Sequence, residues 1–398
     1  MIGSELPKGW DIQPLKEVVT STKGKKPKQL SELPFDNSIP YIDIKALEKD
    51  LIEQYADVES SKSFSPNDIA VVWDGARCGW VSKSKEGAIG STICALTPKN
   101  NIESNYLYYF LLEKYPIVNS KGRGVGIPHV DPTFFWDMEV PIPSPKEQKQ
   151  IAEKLDKLFG QIETIKEAFN KIPELLKNFR QQVLTYAVTG KLIESTPEPR
   201  MLGELIDELK YGTSKKADYD IEGFPVLRIP NINNGEIDSS DLKYVPLDDK
   251  EYNQLSLQEG DILVIRSNGS LSIVGQCAIV RKECENWVYA GYLIRIRCTH
   301  ELLPEYLNYI FKSYQVRKQI VEKSHSMSGV NNFSADKIKQ LEIAWYPVEV
   351  QKQIVEKLNS IFGKLNEIEK QYNTLCEKLD KLPQTLLCKA FKGELVYD

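Results

Sequence analysis

Residues 148–192, QKQIAEKLDKLFGQIETIKEAFNKIPELLKNFRQQVLTYAVTGKL, realign without a gap onto residues 351–395, QKQIVEKLNSIFGKLNEIEKQYNTLCEKLDKLPQTLLCKAFKGEL. The offset is a constant 203 residues, and 18 of the 45 pairs are identical. A period near half the 398-residue chain is too long for a solenoid unit. It predicts two similar halves joined head to tail, an arrangement suited to a target that comes in two parts.

Both copies read as helix. Apolar residues fall at Ile151, Leu155, Leu158, Ile162, Ile165, Phe169, Ile172, Leu176, Phe179 and Val183 in the first. In the second they fall at Ile354, Leu358, Ile361, Leu365, Ile368, Tyr372, Leu375, Leu379, Leu382 and Leu386. Steps of three and four alternate, which is the heptad seam that lets two helices interlock. Gly190 and Gly393 mark the C-terminal ends, where glycine permits a left-handed turn. Pro173 and Pro383 interrupt the two interiors and are expected to kink the helices or split off a last segment. The seams are expected to zip to each other as an antiparallel pair. The alternative is that each helix only packs on its own globular half.

The intervening segments repeat more loosely. Ile39–Ile44 resembles Phe224–Ile229, Asn67–Val72 resembles Gly260–Ile265, and Tyr106–Tyr109 resembles Tyr306–Tyr309. The offsets differ, so loops of unequal length separate shared elements. Short β-branched runs (DILVIR, CAIVR, LIRIRC) predict strands, and Asn105–Glu113 and Pro304–Tyr314 predict helices. The predicted fold class is α+β. Target-facing domains at 1–144 and 196–347 are separated by helices at 145–195 and 348–398, with pseudo-twofold symmetry.

Composition sets bounds. Seven scattered cysteines without a C-x-x-C pair argue for reduced thiols rather than a disulfide framework or zinc site. No leader is visible at MIGSELPKGW and no apolar run approaches 18 residues, so a cytoplasmic protein without a membrane is expected. The net charge of −5 is awkward for contact with phosphates, so any nucleic-acid site must be a local patch.

Such patches occur at matching places. Lys23, Lys25, Lys26 and Lys28 crowd one loop, and Tyr211, Ser214, Lys215 and Lys216 lie in its counterpart. Arg77 follows one Asp-Ile strand, and Arg266 with Asn268 follows the other. Before each long helix comes a third polar loop. It carries Lys121, Arg123 and His129 in the first half, and His325, Asn331 and Asn332 in the second. Arg228 and Asn231 complete the candidate contact set. Arginine suits guanine, asparagine suits adenine, and lysine and serine suit phosphates. Any one loop alone reads equally as a solvated turn.

These features together resemble the specificity subunit of type I restriction–modification enzymes. The resemblance rests on Leu6-Pro7-x-Gly9-Trp10, on YGTSKK at 211–216 with Gly223–Arg228, on Gly260–Leu263 with Arg266, and on the two Gln-Lys-Gln-Ile-x-Glu-Lys-Leu helix starts, each closing on Ala-x-x-Gly-x-Leu. It covers nearly the whole chain, although the first half has STKGKKPK where the family pattern wants a YGTSKK-like string. It implies two target recognition domains, each reading half of a split double-stranded DNA sequence. It also implies an antiparallel coiled coil that spaces them and docks two modification subunits, with a restriction/motor subunit as a further partner. S-adenosylmethionine, ATP and Mg would then sit on partner subunits, with no cofactor, metal or catalytic residue here. In keeping with that, no P-loop, H-E-x-x-H, dinucleotide fingerprint or nucleophile elbow is present in the sequence. The alternatives are a coiled-coil protein-interaction scaffold with no DNA role, and an enzyme fused to a spacer.

Overall fold

The computed structural model describes residues 6–99, 101–124, 126–324 and 331–395. The chain forms two compact units. One runs up to Asn170 and resumes at Asn373; the other spans Lys171–Tyr372. Each is mixed α and β.

The first unit is built on a four-stranded antiparallel sheet in the order Val19–Lys23, Ile93–Pro98, Ile69–Val72, Val81–Lys83. The β-branched run Ile69–Val72 is buried throughout, as expected of a central strand. A smaller sheet pairs Ser38–Ile42 parallel to Ala88–Ile89. Helix Ser104–Ser120 packs its buried Tyr106, Leu107 and Phe110 into the same core as Ile69, Val71 and Leu96.

The second unit repeats the strand order of the main sheet. Its antiparallel sheet runs Ile206–Tyr211, Leu293–Cys298, Ile262–Ile265, Cys277–Ile279. Phe224–Leu227 pairs parallel to Val288–Tyr289. The helix predicted over Pro304–Tyr314 ends at Ile310, and a second helix, Tyr314–Ser324, follows it. Three residues, 311–313, separate them, with Ser313 Oγ donating back to Ile310 O at 2.7 Å.

The repeated helical segments answer their two prolines differently: the split expected at Pro173 occurs, and the one expected at Pro383 does not. The first is not one helix over 145–195. It breaks into Pro145–Phe169 and Ile172–Val188, with Asn170 and Lys171 between. Pro173 explains the break: it sits in the first turn of the new helix, where a missing N–H costs nothing. Helix Val348–Phe391 instead runs unbroken through Pro383, so no last segment splits off. Gly190 and Gly393 do end the helices, with φ of +81° and +76°.

Within the first unit, Lys166 bonds Asp380 at 3.1 Å and Lys154 reaches Leu395 O. Within the second, Arg180 bonds Glu369 at 3.0 Å and Asn366 at 2.8 Å, while Lys357 donates to Leu192 O at 3.2 Å. In the first unit Ile151 and Leu155 are buried in one core with Leu387, and in the second Val183 is buried in one core with Ile354 and Leu358. The middle of each seam is only half covered: Ile165, Phe179, Ile368 and Leu375 stay 41–48 % exposed. Two helices alone cover one side of each other's apolar stripe, so residues at its margin keep a wet edge.

Candidate nucleic-acid interface

In each unit three loops converge at one end of the four-stranded sheet. In the first unit, Lys23 Nζ bonds Asp74 at 2.6 Å and lies 5.5 Å from the Trp73 ring centroid. Asp74 bridges to His129, and His129 exchanges two backbone hydrogen bonds of 2.8 Å with Arg123. Arg123 also bonds Asp131 at 2.7 Å, and Lys121 stands 4.2 Å over the Phe134 ring. The structure therefore brings the lysine loop, the Trp73–Gly79 loop and the Lys121–His129 loop together. Lys25, Lys26 and Lys28 are exposed, with no ion pair among the described residues.

In the second unit the same three positions meet. Gly291 N–H donates to Thr213 O at 2.6 Å, and Arg266 N–H donates to Tyr292 O at 2.9 Å. Ser267 and Asn268 pair as a strand with Asn332 and Asn331. Between the loops lies a cleft of about 630 Å³ whose lining includes Lys215, Lys216, Arg228, Lys243 and Arg266. Ser214 is exposed at its rim. Lys215 is held by Glu251 at 2.5 Å, and Arg228 by Asp241 at 2.9 Å. The Lys215 hydrogen bond keeps the Glu251 carboxyl below its ordinary pKa. Tyr219, then Arg228, does the same for Asp241. Five cations against these two carboxylates leave the cleft positive in a chain whose net charge is −5.

Backbone register fixes which residues correspond. Gly24 N–H donates to Ile93 O, and Gly212 N–H to Leu293 O. Gly24, in STKGKKPK, is thus the counterpart of Gly212 in YGTSKK, and Lys23 that of Tyr211. A Cβ on either glycine would overlap backbone carbonyls, of Gly90 and Ile89 in one unit and of Tyr289 and Ala290 in the other. That close approach explains glycine at both places.

The same register corrects three expectations. Trp73 N–H donates to Thr92 O and Trp73 O accepts from Val130; Arg266 N–H donates to Tyr292 O and Arg266 O accepts from Phe333. Trp73, not Arg77, is the counterpart of Arg266. Arg77 lies four residues on and is paired with Glu48. Asn231 is buried: its Oδ1 accepts from Arg228 N at 2.8 Å, and its Nδ2 donates to Asp238 O and Asp241 O. Asn331 is also buried, its Nδ2 donating to Gly269 O at 3.0 Å. The Asn231 amide is consumed at both ends in shaping its loop, and the Asn331 Nδ2 is committed to backbone carbonyls. His325 lies outside the described residues.

Sequence reasoning missed Trp73, Lys243 and Tyr292. No motif marks them; only strand register does. Among the described residues no three His, Cys, Asp or Glu side chains gather as metal ligands, and no helix is long and apolar enough to cross a membrane.

The family model for the type I restriction modification DNA specificity domain matches residues 7–174 and again 195–378. The chain belongs to the type I restriction–modification specificity subunits. It is 33 % identical over 429 aligned residues to the EcoKI specificity subunit of Escherichia coli K12, covering 99 % of this chain and 91 % of that one. It is 30 % identical over 424 to the StySPI specificity subunit of Salmonella potsdam, covering 98 % and 90 %. The HsdS subunit from Thermoanaerobacter tengcongensis shares its fold, with a TM-score of 0.67 at 17 % identity and 99 % of each chain covered. A further chain, from a study of complex assembly and conformational transition in a type I R-M system, matches with a TM-score of 0.72, also at 17 % identity, over 98 % of this chain and 100 % of that one. The comparisons lend no support to a scaffold without a DNA role.

Proposed function

We propose that this specificity subunit reads a bipartite double-stranded DNA target, one half-site per unit, and carries no catalysis of its own. The observation that carries the reading is the doubled arrangement: two sheets of one topology, each presenting three converging loops with unlike side chains. A shared scaffold with divergent loops is what two readers of different sequences need.

The two helical segments act as an antiparallel coiled coil that sets the distance between half-sites. Supporting this, partner numbers fall along one helix as they rise along the other, both in Lys154–Leu395 with Lys166–Asp380 and in Arg180–Glu369 with Lys357–Leu192. The half-covered seam residues and the helix backs offer surface for two modification subunits, and a restriction/motor subunit completes the assembly. S-adenosylmethionine, ATP and Mg belong to those partners. Lys25, Lys26, Lys28, Lys216 and Ser214 serve phosphates; Arg266 and Asn268 serve bases.

Methylation mapping in cells with and without this chain tests the reading. The expected result is a split motif, present only with the chain, whose two halves differ. Exchanging residues 1–144 for a relative's is expected to change one half alone. A motif indifferent to the chain, or a swap that alters both halves, would refute it.

A further inference from the structure

The two units carry the same cation–aromatic pair with its members exchanged. In the first, the cation is Lys23 and the ring is Trp73. At the matched positions of the second, the ring is Tyr211 and the cation is Arg266, with 4.9 Å from guanidinium carbon to ring centroid. The exchange changes what each site can offer. Lys23 is neutralised by the Asp74 carboxylate at 2.6 Å. The residue matched to Asp74 is Ser267, so Arg266 keeps its full charge.

Arg266 is also held ready. Its Nε donates to Gly291 O at 2.7 Å, and its guanidinium carbon lies 4.9 Å from the Tyr211 ring centroid. The Tyr211 hydroxyl is itself pinned by the Ala335 N–H at 3.0 Å. With Nε occupied, Nη1 and Nη2 have no hydrogen-bond partner among the described residues. They form the two-pronged donor edge that fits the O6 and N7 acceptors of guanine. Arg266 lines the cleft together with Lys216 and Lys243, whose charge favours approach of a DNA strand.

Building on the DNA-reading role above, we propose that Arg266 is a specificity-determining residue that reads one guanine of the second half-site, and that the first unit, with Trp73 at the matched position, reads no guanine there.

The test uses the chain assembled with its modification subunits and duplexes bearing 7-deazaguanine, which lacks the N7 acceptor, at one guanine at a time. With wild-type chain, one substitution is expected to weaken binding about 5-fold or more. In Arg266→Ala that penalty should vanish while those at other guanines persist. Arg266→Gln should accept adenine at the same position, with the other half-site unchanged in methylation maps. The proposal is overturned if no penalty is silenced, or if Arg266→Ala weakens every duplex alike with all penalties intact, which would make it a phosphate contact. Should both variants fail to assemble, the wild-type scan still decides: a target with no sensitive guanine overturns the proposal. Failure of the DNA-reading role itself is seen earlier, as absence of any chain-dependent motif.

Discussion

Gln351 holds in the second unit the place that Gln148 holds in the first. Each is fully buried at the start of a long helix, and each amide satisfies three backbone groups. Gln148 accepts from Glu103 N–H at 2.8 Å and donates to Asn101 O and Pro143 O, both at 3.0 Å. Gln351 accepts from Leu303 N–H at 2.8 Å and donates to Glu301 O at 2.8 Å and Tyr346 O at 2.7 Å. A matched tyrosine stands beside each: Tyr106 donates to Pro141 O and Tyr306 to Ala344 O, both at 2.7 Å. These clamps join helix, loop and strand, so the helix direction is set by the globular part it leaves. Gln351→Met keeps the volume but orphans the Leu303 N–H and the Tyr346 carbonyl, while Glu301 O still accepts from Trp345 Nε1 at 3.1 Å. Each orphan costs about 1–3 kcal/mol, so a total loss of at least about 2 kcal/mol is expected. Urea unfolding measures it; an unchanged midpoint would mean that water replaces the amide.

Gly212→Ala forces a methyl group into the Tyr289 and Ala290 carbonyls. The loop bearing Thr213–Lys216 must shift away from Gly291, which now bonds Thr213 O. Methylation maps are expected to show the second half-site weakened or lost and the first half-site kept. Gly24→Ala should give the reverse result. If either change degrades both half-sites equally, the loops do not act separately.

Lys25 and Lys26 are exposed and carry no ion pair among the described residues. Each is expected to release counterions from DNA, contributing up to about 0.9 to the slope of log K against log salt. Replacing both with alanine should lower that slope by about 1.8 at most and weaken cognate and non-cognate duplexes alike. A change of motif without a change of slope would assign them to bases instead.

Arg77 pairs with Glu48, which is only 20 % exposed. Arg77→Ala is therefore expected to lower the melting temperature of the chain slightly, because exposed pairs contribute at most about 1 kcal/mol. The first half-site motif should remain as in wild type. Loss of that motif at unchanged stability would return Arg77 to the DNA face.

The doubled helix starts, the strands around Ile69–Val72 and Ile262–Ile265, and the three-loop convergence were legible in sequence, because repetition and β-branched runs are local signals. The break at Asn170–Lys171 was legible in Pro173, but the unbroken passage through Pro383 was not, because the two prolines look alike in sequence. One begins a new helix and the other is absorbed into an unbroken one. Contact residues were read by type, and type misled where register decides. Asn231 and Asn331 have the right chemistry for adenine but are spent on backbone carbonyls. Trp73 was passed over for Arg77 because strand pairing across 72–92 cannot be read from spacing. The identity of Gln148 and Gln351 within the repeat was a usable signal: a polar pair kept at the same place on an apolar seam is the mark of a buried amide with partners.

Asp57 ties the lysine loop to the first unit. Its Oδ1 accepts from Ser60 Oγ at 2.7 Å and Gln29 N–H at 2.9 Å, and its Oδ2 accepts from Ser60 N–H at 2.9 Å. Ser60 Oγ in turn accepts from the Lys28 N–H at 2.8 Å. These hydrogen bonds, led by that of Ser60, hold the carboxyl at about 2, below its ordinary value of 3.8. Because the folded value is the lower one, the contribution to stability is complete above about 3.8 and is lost as pH falls through about 2. Asp57→Asn removes it at every pH, since an amide cannot accept at both ends. The variant is therefore expected to be less stable than wild type at neutral pH, and the gap should close as pH drops from 4 toward 2. Proteolysis near Lys28 at neutral pH, faster in the variant, would locate the loosening in this loop. A stability difference that stays constant across that window would show that Asp57 acts through packing rather than through its charge.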